Sequence, residues 1–421
     1  MYHVKTQPIK NITITVPGSK SYTHRYLIAA ALADGQSTLK NCLHSEDTGL
    51  TLAALQQMGT SIKKQGQLVV VDGTGGGLRA PAEPIYLGNS GTSMRLLTAL
   101  AAISDGKHLL TGTERMCERP IGDLIEALTQ IGIDAQAKNG DGCPPVEIKG
   151  GQLAGGKVYL NCKTSSQFLS ALLLIAPYTN KGLDIHVTEG PVSKPYIDMT
   201  IQVMGKLGVE VNREGYQKYF VRGGQKYQAG EYLVEPDCSQ ASYFWAAAAI
   251  TGASIKINGI HQNSIQGDVR LVEVFRAMGC DVYSQADGIM VTGGPLHAVQ
   301  VDMSDMPDMV PTLAVVAAYA KGTTVIENVA HLKAKESDRI AAVANELEKM
   351  GIDVKRAGDG MSIKGGIPKG AEIDTYDDHR IAMSFAVAGL KTPGVVIKNQ
   401  DCVKKSFPNF WQVFETLYKI A

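Results

Sequence analysis

Hydrophobic positions along the chain change period in a regular rhythm. Ala/Leu-rich runs at helical spacing alternate with short stretches in which apolar and polar residues trade places at every second position. One device marks the change: an apolar residue, then Gly, then alternating strand residues. It occurs in QQMGTSIKKQGQLVVV, TQIGIDAQAKNGDGCPPVEI, GKLGVEVNREGYQKYFV, RAMGCDVYSQADGIMV and EKMGIDVKRAGDGMSI. The recurring Met-Gly, Ile-Gly or Leu-Gly reads as a helix closed by a left-handed glycine that turns the chain into a strand. A second, matching helix opens each unit from a polar start, near Ser19, Asn89, Thr164, Cys238, Pro307 and Asp378. Ser, Asn, Asp and Thr accept orphan N–H bonds at such starts. Successive starts lie about seventy residues apart, which predicts six strand–helix–strand–helix–strand–strand units. The last is truncated and ends on a helix around Phe410–Ile420.

Six such units in 421 residues exceed one ordinary core, so two α/β domains of three units each are expected. The change of domain falls near Glu235–Pro236. Residues 18–235 then form one domain, and residues 1–17 with 236–421 form the other, the strand Ile12–Val16 going with the C-terminal half. Stacking the units as a solenoid is the rival arrangement, but mixed repeats of about seventy residues lie outside the usual solenoid range.

Composition narrows the function. Hydrophobic content of 44% with 19% charged residues is that of an ordinary globular protein. Lys+Arg and Asp+Glu are both 41, so no nucleic-acid partner is expected and any positive potential is local. Seven scattered cysteines without a C-x-x-C pair argue against a disulfide framework or a zinc site. Apolar stretches such as Phe168–Pro177 and Leu313–Ala320 fall short of the roughly 20 residues of a membrane span. The first residues lack an apolar signal core, so a cytoplasmic location without a membrane partner is expected.

Chemistry concentrates at the helix starts, where exposed N–H groups and the helix dipole favour anions. The first start is Gly18-Ser19-Lys20-Ser21-Tyr22-Thr23-His24-Arg25, with Ser21 and Arg25 on one helical face. A capped start with a solvated Lys and Arg is the plainer reading of it. Leu87-Gly88-Asn89-Ser90-Gly91-Thr92-Ser93-Met94-Arg95 allows close approach to a ligand, or is a tight turn; it is not a Walker loop. Gly73–Gly77 reads as a hairpin. Thr164-Ser165-Ser166-Gln167 has more hydroxyls than one cap requires, and Ser193-Lys194-Pro195-Tyr196 follows it. In Glu118-Arg119-Pro120 the proline reads as a helix start.

The run Lys333-Ala334-Lys335-Glu336-Ser337-Asp338-Arg339 would put Lys335 and Arg339 on one helical face, unfavourable unless an anion sits between them. A solvated helix start is the alternative. Asp377-Asp378-His379-Arg380 is a poor metal site, because consecutive residues on a regular element cannot all face one ion, and no metal is expected. Asp305, Asp308 and Lys404-Lys405-Ser406-Phe407-Pro408 complete the set. Decoration of all six helix starts predicts one cleft shared by the two domains and closing around small anions. Lys20, Arg119, Arg339, Arg380 and Lys405 would be the cations that hold them.

GSKSYTHR, LGNSGTSMR, ERPIG, SSQF, SKPY, LKAKESDR, DDHRIAM and KKSFP stand in the order and spacing of one family. Over essentially its whole length the chain resembles the EPSP synthases, the 3-phosphoshikimate 1-carboxyvinyltransferases of aromatic amino-acid biosynthesis. The resemblance implies the enolpyruvyl transferase fold, six βαβαββ repeats arranged as an inside-out α/β barrel, three per domain. It also implies closure on shikimate 3-phosphate and phosphoenolpyruvate. Carried over, Lys20, Ser21, Arg25, Ser165, Ser166, Gln167, Ser193, Tyr196, Asp308 and Lys335 would hold shikimate 3-phosphate. Lys20, Asn89, Gly91, Thr92, Arg119, Gln167, Arg339, Arg380 and Lys405 would hold phosphoenolpyruvate.

Lys20, Asp308 and Glu336 would be catalytic, and no metal or organic cofactor is implied, since the cations stabilise the developing charge. A carboxylate among so many cations is ordinarily ionised, so Glu336 would need tuning to donate a proton. His331 stands where the best-known members have Asn, Leu96 where many have Pro, and Ser90 and Ser93 where one large group has Ala. Gly91, rather than Ala, implies sensitivity to glyphosate. The rivals are UDP-N-acetylglucosamine enolpyruvyl transferase, whose loop cysteine is not matched by Cys117 in its Met-Cys-Glu context, and a non-catalytic RNA-binding repeat protein. A monomer acting on small molecules is expected.

Overall fold

A computed structural model describes residues 1–418. The repeat is a small sheet of fixed strand order. In one copy Gly156–Asn161 runs parallel to Leu183–Glu189, Lys218–Val221 lies antiparallel beside the latter, and Asn212–Glu214 closes the outer edge. The same order recurs in the sheets built on Gly106–Thr111 and on Thr323–Glu327. Two helices accompany each sheet, and the chain falls into two compact units, Gly18–Val234 and Met1–Pro17 with Glu235–Ala421. The first unit holds α1 (Lys20–Leu32), α2 (Glu46–Gln57), α3 (Gly91–Ala102), α4 (Gly122–Gln130), α5 (Gln167–Ile175) and α6 (Pro195–Lys206). The second holds α7 (Cys238–Thr251), α8 (Leu271–Ala277), α9 (Val310–Ala317), α10 (Arg339–Lys349), α11 (His379–Gly389) and α12 (Phe410–Glu415).

Helix composition sorts the layers. In α3, α5, α7, α9 and α11 nearly every residue is buried, because Ala, Leu and Val surround the whole circumference. Their partners α2, α4, α6 and α10 bury one face only. The sheets alternate buried and exposed side chains, as in Gly156–Asn161, with one face on the helices and one in water. Helices inside and sheets outside is the inside-out α/β arrangement.

Three sheets take a strand from a distant part of the chain. Ile12–Ile14, although it precedes α1, pairs in parallel with Ser254–Asn258 in the first sheet of its own unit. The edge beside Asp34–Lys40 is filled by Glu231–Leu233. Tyr2–His3 lies antiparallel on Val396–Ile397 and completes the shortened last sheet with Glu372–Ile373.

Several local expectations need correction. Gly73 lies inside the strand Leu68–Thr74, opposite Gly35, and the chain then leaves for another sheet, so Gly73–Gly77 is no hairpin. A Cβ at Gly73 would sit 2.3 Å from the Ala33 carbonyl oxygen, which explains the glycine. Pro120 does not open α4, because the Ile121 N–H is tied to the Gly142 carbonyl at 2.9 Å and the helix begins at Gly122. Lys335 and Arg339 do not share a helical face, since Asp338 caps α10 and leaves Lys335 in the preceding loop. The last helix ends at Glu415 and Tyr418 bridges to Ile9; residues 419–421 lie outside the described residues. No helix among the described residues is long and apolar enough to cross a membrane.

Candidate active site

The Gly18–Val234 unit gathers its polar side chains at the starts of α1, α3, α5 and α6. Ser19 caps α1 by accepting from the Tyr22 N–H, which makes Lys20 the first helical residue. Lys20 Nζ lies 3.0 Å from Asp47 Oδ2 in the first turn of α2. One turn on, Arg25 is buried at 1% exposure. Its Nε donates to Thr200 Oγ1 at 2.7 Å, Nη1 to the Ser21 carbonyl at 2.8 Å, and Nη2 to the Tyr196 carbonyl at 3.1 Å and Ser170 Oγ at 3.3 Å. These partners are neutral oxygens, and burial pulls the guanidinium pKa down to about 10. Such a cation is poised to take an anion.

At α5 the hydroxyls divide their work. Ser165 Oγ accepts from the Gln167 N–H at 3.2 Å, while the buried Ser166 makes no capping bond although it occupies the cap position. Ser193 is buried beside α6 with φ at 54°, in the left-handed region uncommon for a residue with a side chain.

A second cluster joins α3 to α5. Gln167 Nε2 donates to Thr92 Oγ1 at 3.0 Å, and Arg95 Nη1 donates to Gln167 Oε1 at 2.8 Å. Arg95 also reaches the Pro120 carbonyl at 3.3 Å and lies 5.5 Å from the centre of the Phe168 ring. Arg119 Nη1 donates to both the carbonyl and Oδ1 of Asn89, each at 3.0 Å. Gly91 opens α3 directly beneath this guanidinium, where a Cβ would stand 2.4 Å from Arg119 Nη2.

The Met1–Pro17 and Glu235–Ala421 unit is built around Arg339, which is 1% exposed. Its Nε donates to Asp378 Oδ2 at 2.8 Å, Nη1 to Asp308 Oδ1 at 2.8 Å, and Nη2 to Glu336 Oε2 at 2.8 Å and Asp378 Oδ1 at 3.2 Å. Asp308 Oδ2 accepts from Arg380 Nη2 at 2.7 Å, and Lys335 Nζ lies 3.6 Å from Oδ1. The anion between Lys335 and Arg339 is therefore the Asp308 carboxylate. Arg380 Nη1 reaches the Tyr243 hydroxyl at 3.3 Å. Asp378 caps α11 through the Arg380 N–H and also accepts from Ser337 Oγ at 3.0 Å. Lys405 is buried at the end of the turn Gln400–Lys405.

Burial would raise the Asp308 carboxyl, but Arg380, Lys335 and Arg339 outweigh it and hold the group well below the carboxylate range. Neighbouring Asp268 goes the other way, up to about 7, through burial first and the Asp308 charge second. His331 is pushed down to about 4 by burial and by Lys335. The unfolded chain then takes up a proton at this residue first as pH falls from about 6.5 to about 4, and the fold loses stability across that window. His331→Asn is expected to remove about 3 kcal/mol of that loss. Denaturant midpoints of both proteins at pH 7 and pH 4.5 check it, and parallel losses would refute it.

Lys20, Arg25, Asn89, Gly91, Thr92, Arg119 and Gln167 lie in the first unit, and Asp308, Lys335, Glu336, Arg339 and Arg380 in the second, each set within its own unit. The sequence reading missed Arg95, Asp47 and the anchoring carboxylate of Asp378. Asp305 pairs with Arg270 at 3.4 Å, away from the Arg339 network. Among the described residues no group of three or more His, Cys, Asp or Glu is arranged to hold a metal.

Solved structures share this architecture over nearly the whole chain. An EPSP synthase from Acinetobacter baumannii matches with a TM-score of 0.82 at 32% identity, covering 99% of this chain and 97% of that one. The enolpyruvyl transferase NikO from Streptomyces tendae, 19% identical, shows the same fold with a TM-score of 0.78 over 98% and 96% of the two chains. The fold is that of the enolpyruvyl transferases. The family model described as EPSP synthase (3-phosphoshikimate 1-carboxyvinyltransferase) matches residues 5–414. A 3-phosphoshikimate 1-carboxyvinyltransferase of Syntrophobacter fumaroxidans is 44% identical over 416 residues, 98% of each chain. One of Shewanella baltica is 42% identical over 424 residues, 99% of this chain and 100% of that one. The chain belongs to the EPSP synthase family.

Proposed function

We propose that the chain transfers the carboxyvinyl group of phosphoenolpyruvate to the 5-hydroxyl of shikimate 3-phosphate, releasing phosphate. The family match across residues 5–414 carries this reading, and the chemistry of the two clusters agrees with it. The hydroxyl oxygen bonds to C2 of phosphoenolpyruvate as its O–H bond breaks and the proton passes to solvent, while another proton goes to C3. The tetrahedral adduct then loses phosphate from C2 and a proton from C3, restoring the double bond.

The set around Arg25, with Ser21, Ser165, Ser166, Ser193 and Tyr196, serves shikimate 3-phosphate together with Lys335 and Asp308. Lys20, Asn89, Gly91, Thr92, Arg119, Gln167, Arg380 and Lys405 serve phosphoenolpyruvate. Lys20 stabilises the departing phosphate and Glu336 exchanges the C3 proton. Arg339 completes the phosphoenolpyruvate set, but directs four N–H bonds at carboxylates, so its larger part is to hold Asp308 and Glu336 in place. A carboxylate held as low as Asp308 is a weak base, and it suits orienting the 5-hydroxyl better than accepting its proton. The protein is proposed to work as a cytoplasmic monomer.

The test is phosphate release on mixing the protein with both substrates. Release with UDP-N-acetylglucosamine and none with shikimate 3-phosphate would overturn the reading. Gly91→Ala is expected to raise KM for phosphoenolpyruvate about tenfold and to weaken glyphosate inhibition, because the new methyl strikes the Arg119 guanidinium 2.4 Å away. Initial rates at varied phosphoenolpyruvate and glyphosate measure it; unaltered inhibition would remove Gly91 from the site.

A further inference from the structure

Gln167 presents a carboxamide whose two ends are nearly the same size but opposite in polarity. Which end faces the ligand decides whether an anion there meets a donor or is repelled. Arg95 settles the choice, since a guanidinium has N–H donors only and must take the oxygen end. Its Nη1 holds Gln167 Oε1 at 2.8 Å, so the NH₂ end turns to Thr92 Oγ1 at 3.0 Å. The same guanidinium is held against the Phe168 ring and donates to the Pro120 carbonyl at 3.3 Å, one residue beyond Arg119. At 5% exposure it has little room to swing away.

We infer that Arg95 is a positioning residue that locks the Gln167 carboxamide with its NH₂ end toward the phosphoenolpyruvate-binding start of α3. The inference rests on the reading of Gln167 and Thr92 as contacts for that anion. Arg95 itself touches Gln167 and the loop before α4, and acts on the ligand through them. Without it the amide samples both orientations, and in one of them a carbonyl oxygen opposes the anion.

A double-mutant cycle with Arg95→Gln and Gln167→Ala tests this. Each single variant is expected to raise KM for phosphoenolpyruvate about tenfold, the equivalent of one charge-assisted hydrogen bond, with a smaller change for shikimate 3-phosphate. The double variant is expected to be no worse than Gln167→Ala alone. Effects that multiply would overturn the inference, as would an unchanged KM in Gln167→Ala. Arg95→Lys, which keeps one donor for Oε1, should recover part of the loss and serves if Arg95→Gln fails to fold.

A second readout needs no substrate. The Gln167 side-chain amide resonance, assigned by its disappearance in Gln167→Ala, is expected to shift or double in Arg95→Gln. An unmoved resonance would refute the lock. Absence of phosphate release by the unmodified enzyme would instead refute the proposed reaction and leave this test standing.

Discussion

Arg339→Met is expected to cost the fold about 3–5 kcal/mol and to remove measurable turnover. The physical reason is an imbalance of buried charge. Arg339 holds Asp308, Glu336 and Asp378 at 2.8 Å each from a position that is 1% exposed. Methionine fills the volume without a donor, leaving Asp378, at 0% exposure, with only the Arg380 N–H and Ser337 Oγ among these bonds. Lysine should fare little better, because one ammonium cannot reach three carboxylates in the plane a guanidinium spans. Denaturant unfolding followed by circular dichroism measures the cost. A midpoint equal to that of the unmodified protein would show that the network contributes nothing to stability. Asp308 keeps Arg380 at 2.7 Å in this variant, so its carboxylate should be disturbed less than that of Asp378.

Glu336→Ala tests chemistry rather than folding. Loss of a proton-transferring carboxyl is expected to lower kcat by about 10²–10⁴-fold. Phosphoenolpyruvate and glyphosate should still bind, since the cations assigned to them are untouched. Stability should fall less than in Arg339→Met, because Arg339 retains Asp378 and Asp308. Turnover at the original rate would take Glu336 out of the mechanism. Glu336→Gln keeps the shape and an oxygen for Arg339 but carries no exchangeable carboxyl proton. It is expected to be equally slow, and a fast glutamine variant would assign the proton to another group.

Features set by neighbouring residues were the ones legible in the sequence. The caps Ser19 and Asp378 were readable, as were the Gly residues that close helices, because a cap or a left-handed turn is decided within a few residues. Helix starts were read a little early where polar residues run on, as at Asn89 before Gly91 and at Thr164 before Gln167. The order of strands inside each sheet was not legible. Nothing local tells Glu231–Leu233 to lie beside Asp34–Lys40, since that pairing is decided by which edge remains open after the rest has packed.

The site shows the same division. Lys20, Arg25, Arg339 and Arg380 stand out because cations at helix starts are conspicuous. Lys335 and Arg339 were given the wrong geometry, since helical spacing was assumed on the N-terminal side of the Asp338 cap. Asp47 was overlooked because it belongs to a second helix, and Arg95 because it lies a full turn inside α3 and reaches its partner across the sequence.

The N-terminal seventeen residues make the second unit discontinuous, and this bears on how its gene can be cut. Tyr2–His3 and Ile12–Ile14 are edge strands of two different sheets in that unit, and Ile9 bridges to Tyr418 between them. A polypeptide begun at Glu235 would therefore have two raw sheet edges, each a template for another chain. The Asp237 N–H meets the Pro17 carbonyl at 2.9 Å, so the ends left by removing residues 18–234 already adjoin. Expression of that unit alone calls for splicing Pro17 to Glu235 through a short linker rather than for truncation. Residues 18–234, being continuous, can be transplanted as a cassette.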